Sequence, residues 1–250
     1  DYVHRTPVLT SAQLDRLIGA QLYFKAENLQ KVGAFKARGA TNAVFSLAEE
    51  QLSAGVATHS SGNHAAALAR AATMRGMEAH IVMPSTAPQV KKDAVVSYGG
   101  LITECEPTQA ARESTLEELV ARTGAEVVHP FADARVVAGQ GTVGLEILEQ
   151  VADLDMVVVP VGGGGLLAGV ATAIKALNPN IEIMAAEPAG ADDAFRSFGL
   201  GELMTNVDPV TIADGLLTSL GKENYEIVRE CVDTIVTVED STIVAAMKLQ

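Results

Sequence analysis

Along most of the chain, short runs of β-branched and apolar residues alternate with stretches whose apolar positions recur at helical spacing. Gly55 to His59 predicts a strand that runs into Ser60-Ser61-Gly62-Asn63, and the alanine-rich stretch from His64 to Met74 predicts the helix after it. The same pattern predicts strands over 79–83, 101–105, 126–129, 182–186 and 234–238, with helices over 89–98, 109–122, 141–150 and around 223–231. Met156 to Ile174 holds 19 residues without a charge, close to the length of a bilayer span. It is not a span, because Pro160, the run Gly162 to Gly165 and Gly169 divide it into a strand, Met156 to Val161, and a helix, Leu166 to Ala176. Unbroken apolar strands of this kind are covered on both faces, so the class is α/β with parallel sheets. No linker or low-complexity tract interrupts the pattern, and a second domain would arise by chain crossing.

Composition narrows the chemistry. The 250 residues, 48% of them apolar, are enough for one or two cores. With 31 acidic against 18 basic residues, a net charge of −13 repels nucleic acid and anionic membranes, so neither is an expected partner. Any anion bound must be caught by local donors. Cys105 and Cys231 are too few for a disulfide framework or a zinc site, which points to a reducing compartment with both thiols buried. No signal peptide is visible, and the natural N-terminus is expected upstream of Asp1.

Three polar clusters interrupt the apolar pattern. Gly162-Gly163-Gly164-Gly165 lies between a strand and an apolar helix, where backbone N–H groups and the helix dipole can hold a phosphate. Gly163, Gly165 and Ala168 also fit a dinucleotide fingerprint, with Glu187 19 residues beyond Ala168 as the ribose acid, which makes an NAD(P)-dependent oxidoreductase the alternative. A tight turn without a ligand is the plainer option. Ser60-Ser61-Gly62-Asn63-His64 is a compact donor array at a helix start, suited to a carboxylate or phenolate oxygen; simple N-capping explains the same residues. Lys36, after Phe35 and before an Ala- and Gly-rich helical stretch, sits where desolvation would lower an amine's pKa and make it nucleophilic.

Taken together, Glu27-Asn28-Leu29-Gln30-Lys31, Phe35-Lys36-Ala37-Arg38-Gly39-Ala40, Ser60 to His64 and Gly162 to Gly165 resemble the signature set of the pyridoxal-phosphate-dependent serine/threonine dehydratase family, with its tryptophan-synthase-β type fold. Arg5-Thr6-Pro7-Val8-Leu9, His129-Pro130-Phe131, Ala138 to Thr142 and Ala213-Asp214-Gly215 extend the likeness over essentially the whole chain, and the serine racemase and dehydratase branch is the most similar. Val32-Gly33-Ala34 departs from the family's Thr-Gly-Ser before Phe-Lys.

The resemblance implies two parallel-sheet α/β domains with pyridoxal 5'-phosphate in the cleft between them (fold type II). Residues 1–54 and 133–250 would form the large domain and 55–132 a small mobile one. Lys36 would bind the cofactor aldehyde as a Schiff base, Phe35 would flank the ring and Asn63 would bond its hydroxyl. Gly162, Gly163, Gly164, Gly165 and Leu166 would hold the phosphate. Ser60, Ser61, Gly62 and His64 would line the substrate carboxylate, with Arg112 approaching it. Lys36 and Ser61 would exchange protons on opposite faces of the α-carbon. Glu187, the Ala191 carbonyl and Asp193 would bind Mg²⁺, Ca²⁺ or Mn²⁺, since all are oxygen ligands; an acidic loop capping the next helix is the alternative. The implied activity is loss of water from a β-hydroxy amino acid to give a 2-oxo acid and ammonia, with serine racemisation alongside, in a cytoplasmic homodimer. Retained Lys36 disfavours a silent amino-acid sensor. The family pattern continues past Gln250 to a Ser or Cys facing the pyridine nitrogen. Phe131 points to threonine-dehydratase-like members and Glu187 to Asp193 to racemase-like ones.

Overall fold

A computed structural model describes residues 2–249. In chain order its elements are β1 (Val8–Thr10), α1 (Ala12–Ile18), β2 (Tyr23–Lys25), α2 (Lys36–Phe45), β3 (Val56–His59), α3 (Asn63–Met74), β4 (Ala79–Pro84), α4 (Gln89–Ser97), β5 (Gly100–Cys105), α5 (Gln109–Thr123), β6 (Glu126–Val127), α6 (Ala134–Gln150), β7 (Met156–Pro160), α7 (Gly165–Leu177), β8 (Glu182–Pro188), α8 (Asp193–Leu200), α9 (Lys222–Cys231), β9 (Thr234–Val238) and α10 (Asp240–Met247). Contacts divide the chain into two compact units. One comprises Glu27–Gly139 with the residues up to Thr6, and the other Pro7–Ala26 with the residues from Gln140 on. Contact density thus groups 27–54 with 55–132, whereas the expected large and small domains concern which segments move together.

In the first unit, β5-β4-β3-β6 form a parallel sheet. Strand periodicity sends alternate residues to opposite faces. Val56, Ile81 and Met83 pack with Leu68 and the alanines of α3 on one side, while Ala57 and Val82 pack with Leu116 and Leu119 of α5 on the other. Small residues let helices approach closely: a Cβ on Gly139 would lie 2.6 Å from the Cα of Gly39 in α2. The second unit has a parallel sheet in the order β7-β8-β9 and an antiparallel β1-β2 pair. Its core joins Val157, Val159, Ile183 and Ile235 to Leu167 and Ile174 of α7 and Val228 of α9.

The expected alternation is present, with four corrections. The strand expected over 126–129 ends at Val127, because the His129 ring accepts the N–H groups of Phe131 and Ala132 and turns the chain. The helix expected from Gly141 starts at Ala134. Strand β7 is covered on one face only: Val157 and Val159 are buried, while Met156 and Val158 on the opposite face are exposed. Cys105 is buried as expected, but Cys231 is only half-buried; both are free. Among the described residues no helix is long and apolar enough to cross a membrane.

Candidate active site

Lys36 opens α2, a helix whose following residues Ala37, Arg38, Gly39 and Ala40 are all buried. Buried Arg38 fixes the approach to it, since its Nε and Nη2 donate to Glu27 Oε2 and Oε1 at 2.9 and 2.8 Å. The Thr6 hydroxyl donates to the same carboxylate at 2.5 Å. Val32 adopts φ 57°, a left-handed conformation that costs a β-branched residue about 1–2 kcal/mol, so the turn before the lysine is strained where the family motif is broken. The Lys36 residue is half-exposed, but its amine lies deep, donating from Nζ to the Pro130 carbonyl at 2.8 Å, 5.2 Å from the Phe35 ring centroid. Burial lowers its pKa from 10.5 to about 8.

The folded state holds the Lys36 proton less tightly than the unfolded chain, so the stabilising contribution exists above the unfolded pKa and is lost as pH falls through about 8. The cofactor-free chain should therefore show Lys36 half-reactive toward an amine-directed label near pH 8, with surface lysines about two units higher. Peptide mass spectrometry across a pH series checks this; a Lys36 midpoint equal to the surface average would refute it.

The Ser60 turn lies in the same unit. Gly62 is the N-cap of α3 and no side chain caps the helix, which removes the simple capping explanation. Ser60 Oγ accepts the Gly62 N–H at 3.3 Å. Among the described residues, the Ser61 hydroxyl, the Asn63 amide and the N–H groups of Asn63 and His64 have no hydrogen-bond partner, so the donors expected to serve a ligand are available. The His64 ring is buried, with Nε2 3.0 Å from the Val128 carbonyl, and burial lowers its pKa to about 3. It is neutral at physiological pH. Arg112 of α5 has a buried Nε without a partner among the described residues.

In the second unit, the glycine run turns β7 into α7. Gly164 is the N-cap at φ 82°. The Gly163 carbonyl accepts from the Gly221 N–H at 3.2 Å and from Asn224 Nδ2 at 2.7 Å. With that carbonyl held inward, the N–H groups of Gly163, Gly164, Gly165 and Leu166 have no partner among the described residues and make a donor cradle at the positive end of a 13-residue helix. Sequence reasoning missed Asn224. Its only signal is a polar residue beside Tyr225 and Val228 on the buried stripe of α9.

The acidic loop is also in this unit. Glu187 and Asp193 are both buried, at 1% and 0% exposure. Glu187 accepts the N–H groups of Ala194 and Phe195 at 3.1 and 2.8 Å. Asp193 accepts from the Leu220 N–H at 2.7 Å and Asn206 Nδ2 at 2.5 Å. Capping of α8 therefore falls to Glu187; Asp192, at the N-cap position, makes no capping bond and pairs with Arg196 at 2.8 Å. Burial pushes the Glu187 pKa up to about 7, with Asp193 and Asp192 adding to the rise. A carboxylate enclosed in this way is not presented to a ribose, which corrects that expectation. No group of three or more His, Cys, Asp or Glu that could hold a metal occurs among the described residues. What favours a cation here is that both acids are buried and that the Asp193 charge helps to push the Glu187 pKa up.

The family model for pyridoxal-phosphate dependent enzymes matches residues 1–249. The chain belongs to that family. As a pyridoxal-phosphate-dependent enzyme it is 52% identical over 248 residues to a beta-hydroxyaspartate dehydratase of Paracoccus denitrificans, covering 99% of this chain and 79% of that protein. It is 50% identical over 250 residues to a serine racemase of Dictyostelium discoideum, covering 99% and 77%. The structure of maize serine racemase superimposes with a TM-score of 0.98 at 50% identity, over 99% of this chain and 75% of that one. Threonine deaminase isoform 2 of Solanum lycopersicum gives 0.95 at 38% identity, over 99% and 69%. The fold is that of the type II enzymes of this family. The residues present fit the cofactor: a desolvated amine for its aldehyde, an unpartnered N–H cradle for its phosphate and an unengaged Asn63 amide for its ring oxygen. Nothing in these relatives supports nicotinamide binding.

Proposed function

We propose that the protein removes water from a β-hydroxy amino acid, either serine, threonine or 3-hydroxyaspartate, to give a 2-oxo acid and ammonia, and that it also interconverts the enantiomers of serine. The observation that carries this is Lys36, an amine desolvated enough to be a free base near pH 8, in a chain about half identical to a hydroxyaspartate dehydratase and a serine racemase. When bound, pyridoxal phosphate supplies the electron sink that acidifies the substrate α-proton. Lys36 Nζ would be the covalent anchor for the cofactor and, once free, the base that takes that proton. Phe35 would flank the ring, Asn63 would bond its oxygen, and Gly162, Gly163, Gly164, Gly165 and Leu166 would hold the phosphate. Ser60, Ser61, Gly62 and the His64 N–H would bind the substrate carboxylate, joined by Arg112. The Ser61 hydroxyl would move a proton on the face opposite Lys36. Residues 55–132, which carry Ser60 to His64 and Arg112, would be the mobile domain, and residues 1–54 and 133–250, with Lys36 and the glycine run, the large one.

Glu187, the Ala191 carbonyl and Asp193 would hold Mg²⁺, Ca²⁺ or Mn²⁺ in a structural role, neutralising two buried acids. A millimolar divalent cation should then raise the melting temperature at pH 8 by about 4–8 °C, corresponding to about 2 kcal/mol in a chain of this size. A thermal scan with EDTA and with Mg²⁺, Ca²⁺ or Mn²⁺ checks it; identical curves would remove the site. The enzyme would be a cytoplasmic homodimer that acts on an amino-acid substrate, with no nucleic-acid or membrane partner.

The deciding experiment incubates the holoenzyme with L-serine, D-serine, L-threonine and threo-3-hydroxyaspartate, with and without Mg²⁺, and assays 2-oxo acid and enantiomer ratio. No 2-oxo acid from any of them, with unchanged ratios, sinks the proposal. Ser61→Ala should lose racemisation about 10²-fold or more, as expected for a positioned proton donor. Undiminished racemisation in that variant would remove Ser61 from its role.

A further inference from the structure

We propose that the Pro130 carbonyl is the seat of the Lys36 amine whenever that amine is not bonded to the cofactor, and that His64 and His129 are positioning residues that hold the 128–132 segment in place for it. The inference rests on Lys36 being the cofactor lysine, and it gives work to a buried histidine whose ring the proposed chemistry leaves idle.

The Val128 N–H donates to the Ala57 carbonyl at 2.9 Å, tying the segment to β3. The Val128 carbonyl lies 3.0 Å from His64 Nε2. A carbonyl only accepts, so Nε2 carries the proton and His64 is the Nε2–H tautomer. His64 Nδ1 is then a bare acceptor, buried and without a partner among the described residues. Leaving such an atom unsatisfied costs about 1–3 kcal/mol, so the ring is held by its Nε2 bond at the expense of its other nitrogen. His129 Nδ1 accepts the N–H groups of Phe131 and Ala132 at 3.3 and 2.9 Å, and its ring stands edge-on to Phe131 with centroids 4.6 Å apart. Pro130, between these fixed points, has no N–H to bond, and its carbonyl takes Lys36 Nζ at 2.8 Å.

The chemistry of that acceptor suits a lysine that must be both base and acid. A carboxylate in this place would pair with the ammonium, raise its pKa and hold the proton. A neutral carbonyl gives the amine a fixed partner in either protonation state, because –NH₂ and –NH₃⁺ both donate. It also limits a side chain with about 2 kcal/mol of rotamer freedom to lose. The ionisable groups that act on His64 are Lys36, His129 and Asp133.

The test uses the full chain freed of cofactor with hydroxylamine and labelled by formaldehyde and cyanoborohydride, with Lys36 methylation followed by peptide mass spectrometry across pH. In His64→Gln the amide nitrogen reaches the place of Nε2 and can still donate to Val128, so the midpoint of labelling should stay at the wild-type value. In His64→Asn the shorter amide cannot reach, the 128–132 segment loosens, and the midpoint should rise by about one pH unit or more toward that of an ordinary lysine. Equal midpoints in wild type and His64→Asn, or a midpoint in His64→Gln as high as in His64→Asn, would overturn the positioning role even with melting temperatures lowered. Should the variants not fold, nitrogen-15 histidine spectra of the wild-type chain decide. The expected result is a neutral Nε2–H ring that does not titrate between pH 5 and 8, and an Nδ1–H tautomer or a titration in that window would overturn the proposal. None of these readouts depends on turnover, so a failed substrate assay leaves them standing.

Discussion

Lys36→Ala should lower elimination by about 10³-fold or more and leave no lysine that borohydride fixes to the cofactor. The size of the effect follows from one side chain serving as anchor and as base. Stability should change little, because two opposing contributions are removed together. Loss of the amine orphans the Pro130 carbonyl, at about 1 kcal/mol, and abolishes the cost of burying a cation. Assays of 2-oxo acid release, borohydride trapping with peptide mapping, and a melting curve check the three parts. Retention of a tenth of the activity, or trapping on another lysine, would remove Lys36 from its place in the mechanism.

The features legible in the sequence are those that a local pattern encodes. Each strand running into glycines or serines and then an apolar helix marks a crossover, and the Lys36, Ser60 and Gly162 clusters stand out because they interrupt apolar runs. Helix α1 left no such mark, and α8 left only the acidic loop before it. Each is one or two turns long, α1 buries none of its residues, and α8 leaves Phe195 exposed. The bonds that shape the site were equally hidden, since they join side chains to main-chain atoms of distant segments: Asn224 to the Gly163 carbonyl, His64 to Val128, Lys36 to Pro130. Main-chain carbonyls have no sequence identity, so spacing cannot reveal them. The acidic loop shows the reverse problem. Glu187 was visible and its spacing satisfied a ribose-binding rule, but spacing contains no information about burial, and its carboxylate is enclosed, accepting the N–H groups of Ala194 and Phe195. Phe131, one of two conflicting cues to the substrate, packs edge-on against His129, and that contact alone accounts for an aromatic residue there.

Gly164→Ala should weaken pyridoxal phosphate binding by about 10²-fold, the equivalent of two charge-assisted hydrogen bonds misaligned. At φ 82° any L-residue is strained by about 1–2 kcal/mol. The added Cβ would also lie 2.4 Å from Leu220 Cδ1 and 3.0 Å from Asn224 Cβ. The leucine methyl can swing aside, but the asparagine Cβ is fixed to α9. Relief therefore requires the loop or α9 to shift, and the Gly163 carbonyl is bonded to both Gly221 and Asn224. Either movement turns the N–H cradle away from the phosphate. Strain and contact together should cost about 2–3 kcal/mol, or roughly 4–12 °C in melting temperature. Gly201→Ala separates the two effects. Gly201 has φ 75° with nothing within 4 Å of its Cβ, at the C-terminus of α8, so its substitution brings strain without touching the cradle. It should lower the melting temperature by about 2–8 °C and leave cofactor affinity unchanged. Absorbance titrations of the cofactor into both variants, with melting curves, make the comparison. If Gly164→Ala lost stability but bound pyridoxal phosphate as tightly as Gly201→Ala, the phosphate would have to be held by donors other than the Gly163 to Leu166 N–H groups.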